Sequence, residues 1–206
     1  MPRLLPLLLI TALASTAHAE PRTWSLEGVA VEFEVPLTIG SHDGTIGDVQ
    51  GSLTVDPTNL AATTGTLIAP IATFDTGNHK RDCHLRESLG IDYASSSFPD
   101  KHVCDGATVP AGEIKYPNVE FVIDGLRHAG GNLWYVDGSV NLHGVPRSIG
   151  GSDVSLTIRV DGAEQVSVEG RWTVSLDAHD VIVKNVPFIK VKDTVEVRVD
   201  GQLSPQ

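Results

Sequence analysis

Residues 73–89, TFDTGNHKRDCHLRESL, form the one stretch of the chain with a helical pattern, and they lie between two groups of strand-like segments. Asp75 or Thr76 can cap the start of a helix, and Gly90 directly follows the stretch. Two leucines near its end are four residues apart and therefore share one helical face. The pattern predicts a short helix that closes one end of a β-structure.

The rest of the sequence is typical of an all-β protein. Apolar and polar residues alternate with a period of two, as in VEFEV at 31–35, and turn signals such as Asp-Gly separate the segments. Gly40–Gly44 and Gly144–Arg147 are interpreted as turns. About eight strands in this arrangement predict an antiparallel barrel or sandwich. The predicted strands are 24–35, 45–55, 63–73, 116–126, 133–142, 152–160, 166–176 and 194–203.

The N-terminus indicates a secretory signal. Arg3 supplies a basic start, Leu4–Leu13 supplies an apolar run, and Ala17-His18-Ala19 matches the small-x-small cleavage pattern. The apolar run is too short to span a membrane, which takes ~20 residues. We therefore expect residues 1–19 to be removed and residues 20–206 to form a single domain. The mature protein is expected to be periplasmic or secreted, and not an integral membrane protein.

Charge and motif content exclude several classes of function. The chain has 26 acidic residues against 15 basic ones, a formal net charge of −11, which repels nucleic acid. It has no Gly-rich phosphate loop, no GxSxG nucleophile elbow and no HxxxH or HxH pair. We therefore expect neither an enzyme nor a cofactor, and no nucleic-acid partner. A metal site assembled from histidines on distant loops remains an alternative.

The interior of the predicted barrel allows two interpretations. An eight-stranded barrel can be filled by side chains or can hold one small ligand. The first interpretation describes a structural or protein-interaction module with a packed core, and the second describes a binding protein. The alternating pattern is the same in both, so it does not decide between them.

Four motifs occur in a fixed order across nearly the whole chain after residue 20. Three of them are VEFEV at 31–35, YPNVEF at 116–121 and VDGSVNLHGV at 136–145. The other consists of Asp75, Thr76, Asn78, Arg81, Asp82, His84 and Leu85. Together they resemble the signature of the YceI-like family of exported, polyisoprenoid-binding proteins.

The resemblance implies a fold and a function. The fold is an elongated, eight-stranded antiparallel, lipocalin-like barrel with a helix and loops over one end. Family members hold isoprenoids, of polyprenyl or quinone type, or other long-chain lipids in an apolar tunnel. They act as periplasmic carriers or stores, often as homodimers, and are not known as catalysts. The partner expected here is therefore a hydrophobic small molecule. The helix motif is expected to be structural, and Arg81 and Asp82 are expected to fix the helix over the barrel end. The residues expected to line the tunnel are Phe33, Leu53, Phe121, Trp134, Val136, Leu142, Trp172 and Val174.

The chain departs from the family pattern in two places. Gly28-Val29-Ala30 occupies the position of a His-Ser pair that precedes the first strand motif in the family. In addition, Ile91–Ile114 is inserted between the helix and the YPNVEF strand. We expect the insertion to lie near the mouth of the tunnel, where it would affect the headgroup or the length of the ligand.

Cys83 and Cys104 are the only cysteines of the chain. In an exported protein two cysteines most simply form one disulfide, and their spacing matches no zinc or haem motif. We predict a Cys83–Cys104 bond that stabilises the fold by about 3 kcal/mol through the loop that it closes. Alkylation of the denatured, unreduced protein is expected to label neither thiol. Stoichiometric labelling of both would contradict the prediction.

Overall fold

The computed structural model describes residues 21–26, 28–92, 111–161, 164–183 and 190–206. The predicted signal at 1–19, Cys104 and most of the Ile91–Ile114 insertion lie outside these residues, so the predictions about them stay predictions. No helix in the described part of the chain is long and apolar enough to cross a membrane. The helix α1 is His79–Gly90, and 3₁₀ turns are Leu60–Ala62, Ile71–Thr73, Ala111–Glu113 and Asp177–His179. The strands are β1 Arg22–Ser25, β2 Ala30–Pro36, β3 Ser41–Ile46, β4 Gln50–Val55, β5 Thr64–Pro70, β6 Phe74–Asp75, β7 Asn118–Gly130, β8 Leu133–Leu142, β9 Val145–Ile149, β10 Val154–Val160, β11 Val166–Ser175 and β12 Thr194–Pro205.

Eight of these strands close into an antiparallel barrel. Their order is β1-β4-β5-β7-β8-β10-β11-β12, and β12 pairs back onto β1. The closing pairs are Trp24 with Pro205 and Ser25 with Ser204. The predicted eight-stranded, lipocalin-like barrel with one helix is therefore confirmed.

The four remaining strands extend the wall of the barrel at the end that carries α1. Of these, β2 continues β1 alongside the first half of β12, and β3 pairs with β2. On the other side of β3 lies β6, which continues β5 and leads into α1. The fourth, β9, pairs with the second half of β8. Half of the eight positions in the wall are thus formed by two strands in succession, namely β1 and β2, β3 and β4, β5 and β6, and β9 and β10.

Two segments interpreted as turns are strands. Within Gly40–Gly44 only the first residue belongs to a turn, closed by the Leu37 N–H bond to the Gly40 carbonyl, and β3 starts at Ser41. Within Gly144–Arg147 the chain pairs again from Val145 onward as β9. The reason is that His143 and Gly144, with φ of 55° and 75°, complete a two-residue hairpin turn by themselves.

The boundaries of α1 also differ from the prediction. The N-cap is Asn78, whose side-chain oxygen accepts from the backbone N–H groups of Lys80 and Arg81. Asp75 instead ends strand β6. Gly90 is the last residue of the helix, where a side chain would overlap Ile71. The glycine therefore allows close packing against the end of the Ile71 side chain and does not form a left-handed helix end.

A cluster of apolar side chains, the packed core, lies at the barrel end opposite α1. Trp24 is fully buried there, and its indole N–H donates to the Val55 carbonyl at 3.2 Å. Leu60, on a 3₁₀ turn, belongs to the same cluster and covers this end. The barrel is thus closed at one end by packed side chains and at the other by α1.

We predict that Gly144→Ala lowers the free energy of unfolding by about 1–3 kcal/mol, because it adds both backbone strain and overlap with the Tyr116 ring. Gly131→Ala is the matched control, since Gly131 has φ of 56° with open space around it and carries the strain alone, at about 1 kcal/mol. Urea denaturation measures both. Equal losses would show that the Tyr116 contact contributes nothing.

Candidate functional site

The barrel encloses a cavity of about 510 Å³. Its lining comes from the inward faces of strands on all sides of the barrel, because alternate residues of a strand face the same side. Most lining side chains are Val, Leu or Ile, and the aromatic ones are Phe33, Phe74, Phe121 and Trp172. The cavity therefore presents a nearly continuous aliphatic surface, which we call the lumen.

Polar residues are distributed unequally along the lumen. His42 on β3 and four residues of the α1 region lie at the helix end, which we call the mouth. The four are Thr76, Arg81, His84 and Ser88. At the opposite end, which we call the inner end, the polar lining residue is Thr63. A ligand would therefore meet ionisable groups at the mouth only.

The first turn of α1 is anchored to the chain that precedes it. Asp82 is buried, and its Oδ1 accepts from the backbone N–H of Thr76 at 2.8 Å and from the Thr76 hydroxyl at 2.6 Å. Arg81 donates through Nη2 to the Thr76 carbonyl at 2.8 Å and through Nε to the Thr76 hydroxyl at 3.3 Å. These charge-assisted hydrogen bonds fix the helix relative to the end of β6.

The last turn of α1 is held by two other motif segments. The Gly90 carbonyl accepts from the backbone N–H groups of Lys115 and Tyr116 at 2.8 and 3.0 Å. Nε2 of His143 lies 3.0 Å from the Ile91 carbonyl, and the His143 ring packs edge-on against Tyr116 at 4.7 Å. The YPNVEF and VDGSVNLHGV motifs therefore meet at the end of the helix and position it over the mouth.

Glu87 is a buried charged residue of α1 that the sequence patterns did not indicate. Its side chain is 1% exposed, and its Oε2 lies 3.0 Å from Nδ1 of His84. Beside it, Arg86 donates to the Phe74 carbonyl at 3.3 Å. The only sequence feature that could have indicated this pair was the three-residue spacing between His84 and Glu87. Such a spacing is common on helices and is therefore not specific.

Two carboxylates hold segments around the mouth. The hydrogen bond from Lys115 to Asp92, at 2.5 Å, raises the pKa of Lys115. The backbone N–H of Asp177 donates to Asp193 at 2.6 Å and lowers the pKa of that carboxyl. Lys115 and the Asp193 carboxylate therefore stay ionised near neutral pH, and each hydrogen bond links two separate segments of the chain.

The predicted tunnel residues fall into two groups. Six line the lumen, namely Phe33, Leu53, Phe121, Leu142, Trp172 and Val174. Val136 does not line it, because it is fully buried in the packed core. Trp134 does not line it either, because its half-buried ring packs on that core and on His128. Contact of any of these residues with a ligand stays a prediction.

The motif residues have distinct positions. His84 and Leu85 line the lumen, together with Thr76 and Arg81. Asp75 caps the tight turn by accepting from the Gly77 N–H at 2.7 Å. Cys83 is buried on the helix.

Several lining residues had no sequence signal. Leu60 belongs to a 3₁₀ turn, and Val181, Val183 and Val191 belong to segments without regular alternation. Thr63 is different, because it is the first residue of the predicted strand 63–73 and shares the inward face of Leu67. Among the residues described, no group of three His, Cys, Asp or Glu side chains is placed to hold a metal ion.

Comparison with known proteins supports the same family. Residues 23–103 match the family model of the YceI-like domain. No curated protein matches the chain. This match supports the recognition made from the four motifs, and the structural similarities that follow show the same fold.

Three solved structures share the fold. The crystal structure of BcnA from Burkholderia cenocepacia matches with a TM-score of 0.65 and 16% identity, over 87% of this chain and 98% of BcnA. A polyisoprenoid-binding domain from Saccharophagus degradans, implicated in plant cell wall breakdown, matches with 0.60 and 16%, over 89% and 98%. The YCEI protein of Campylobacter jejuni matches with 0.57 and 14%, over 79% and 84%. At these identities the similarity shows the fold.

We predict that Arg81→Ala lowers the free energy of unfolding by about 1–3 kcal/mol, because the carbonyl and hydroxyl of Thr76 lose a charged donor. Lys80→Ala removes a neighbouring exposed cation from the same helix turn and is expected to change stability by less than about 0.5 kcal/mol. Thermal and urea denaturation compare the two variants. An Arg81→Ala melting curve that coincides with the parent's would refute the anchoring role.

Proposed function

We propose that this chain of the YceI-like family is a carrier or store that holds a long-chain isoprenoid, of polyprenyl or quinone type, or a similar lipid in its lumen. The observation that carries the proposal is the single apolar cavity of about 510 Å³ that runs from α1 to the inner end. Small-molecule sites have volumes of roughly 300–1,000 Å³, so the size fits one ligand.

The chemistry of the lumen favours a hydrocarbon chain. Burial of apolar surface is non-directional and contributes about 0.8 kcal/mol per methylene before the costs of ordering the chain. An apolar cavity lined by Leu, Ile and Phe stays dry, so an entering chain has little bound water to displace. Methyl branches of an isoprenoid would pack among the aliphatic side chains of the wall.

Two further observations support a binding role over the packed structural module that the sequence also allowed. A barrel that serves only as a scaffold has no need of an open interior. One of the structures with the same fold is named a polyisoprenoid-binding domain. Export to the periplasm, a non-catalytic role and homodimer formation belong to the same proposal.

The direct test is native mass spectrometry of protein purified from its native cell envelope, followed by mass analysis of an organic extract. We expect a retained lipid that dissociates on unfolding. Protein that carries no lipid and fails to bind an added fluorescent polyprenyl probe would overturn the proposal.

We predict that Trp172→Glu weakens binding of that probe by about tenfold or more, because it places a carboxylate on an apolar wall. Thr173→Glu adds the same charge at the next residue, which faces outward, and is expected to leave binding unchanged. Circular dichroism verifies that both variants fold. A folded Trp172→Glu protein that binds as tightly as the parent would show that the lumen is not the binding site.

A further inference from the structure

The inner end of the lumen holds one polar side chain. Thr63 is the C-cap of the 3₁₀ turn Leu60–Ala62 and directly precedes β5. Because β5 runs from this point toward β6 and α1, Thr63 lies at the end away from the mouth. Its side chain is 5% exposed, and it lines the lumen beside apolar residues that include Leu60 and Leu126.

The Thr63 hydroxyl has no hydrogen-bond partner among the described residues. A buried hydroxyl without a partner is destabilising, and such groups in native proteins are few and call for an explanation. Arg86 Nε and Asn141 Oδ1 also lack a partner among the described residues, but neither residue lines the lumen. Other polar groups inside the barrel have partners. The Trp24 indole bonds to the Val55 carbonyl, and the Thr76 hydroxyl has two partners. A valine at position 63 would have nearly the same shape without the penalty.

We propose that Thr63 is a hydrogen-bonding subsite for an uncharged oxygen group, a hydroxyl or a carbonyl, at the inner end of the lumen. The inference rests on the proposed lipid-binding function and adds the chemistry and direction of the ligand. A threonine hydroxyl both donates and accepts, so it suits an alcohol or a ketone. The ligand enters with its oxygen-bearing end first, and its hydrocarbon chain extends toward α1.

The charge distribution excludes an anionic group at this position. The ionisable residues of the lining are His42, Arg81 and His84, and all three lie at the mouth. The seven residues of β5 separate the two ends by about 20 Å along the strand. A phosphate beside Thr63 would be buried without a counter-charge, which is far more unfavourable than burying an alcohol.

Farnesol and farnesene test the proposal, because they share the isoprenoid chain and differ in the hydroxyl. Binding is measured by displacement of the fluorescent probe N-phenylnaphthylamine from the parent, Thr63→Val and Thr63→Ser. We expect Thr63→Val to bind farnesol about 3- to 10-fold more weakly, the value of one hydrogen bond, and to bind farnesene at least as tightly as the parent. Thr63→Ser, which keeps the hydroxyl, is expected to bind farnesol within about twofold of the parent.

Three outcomes count against the inference. Unchanged farnesol binding by Thr63→Val, or equal weakening of farnesol and farnesene, overturns the subsite and leaves the proposed function intact. Failure of the parent to bind either compound, or a polyprenyl probe, overturns both. If Thr63→Val does not fold, Thr63→Ala replaces it, because alanine removes the same hydroxyl without the branched methyl groups. The inference then requires that Thr63→Ala bind farnesol more weakly than the parent without a matching loss of farnesene binding.

Discussion

Closure of the barrel depends on the pairing of the last strand with the first two. Along one edge, β12 pairs with β11 from Thr194 to Leu203, and along the other it pairs first with β2 and then with β1. Without these pairs the sheet would expose two edges and its apolar inner face. The lumen exists only as the inside of the closed sheet, so the candidate site depends on hydrogen bonds between the two ends of the described chain.

The strands and the phase of their inward faces could be predicted because alternation is a local property. Phe33 and Trp172 face the lumen as their neighbours in sequence indicate. Val136 also has the inward phase, yet its neighbours bury it completely and it does not line the lumen. An inward residue lines the lumen only if the side chains on the opposite wall of the barrel leave room beside it. Those side chains are distant in sequence, so the local pattern around a residue does not predict this. Thr63 has the inward phase of the predicted strand 63–73, but the sequence does not show that its hydroxyl is left without a partner.

Three of the four motifs that carry the family resemblance have a common physical role, which is to hold α1 over the mouth. The fourth, VEFEV, forms β2 in the wall. The predicted type of interaction at Arg81 and Asp82 matches the observed hydrogen bonds, but the shared partner, Thr76, could not be predicted from propensity. The capping role falls to Asn78 because Asp75 is engaged with Gly77 and with the strand before it. Which of several adjacent capping residues becomes the N-cap therefore depends on the direction in which the chain leaves β6.

The size of the lumen also bears on how the protein responds to pressure. Unfolding eliminates internal void, so the volume of the system falls when a protein with a large cavity unfolds, and pressure favours that state. When no ligand fills it, a lumen of about 510 Å³ makes a barrel more compressible and more sensitive to pressure than a barrel of the same size with a filled core. Any occupant that fills the lumen removes this sensitivity, whatever its headgroup.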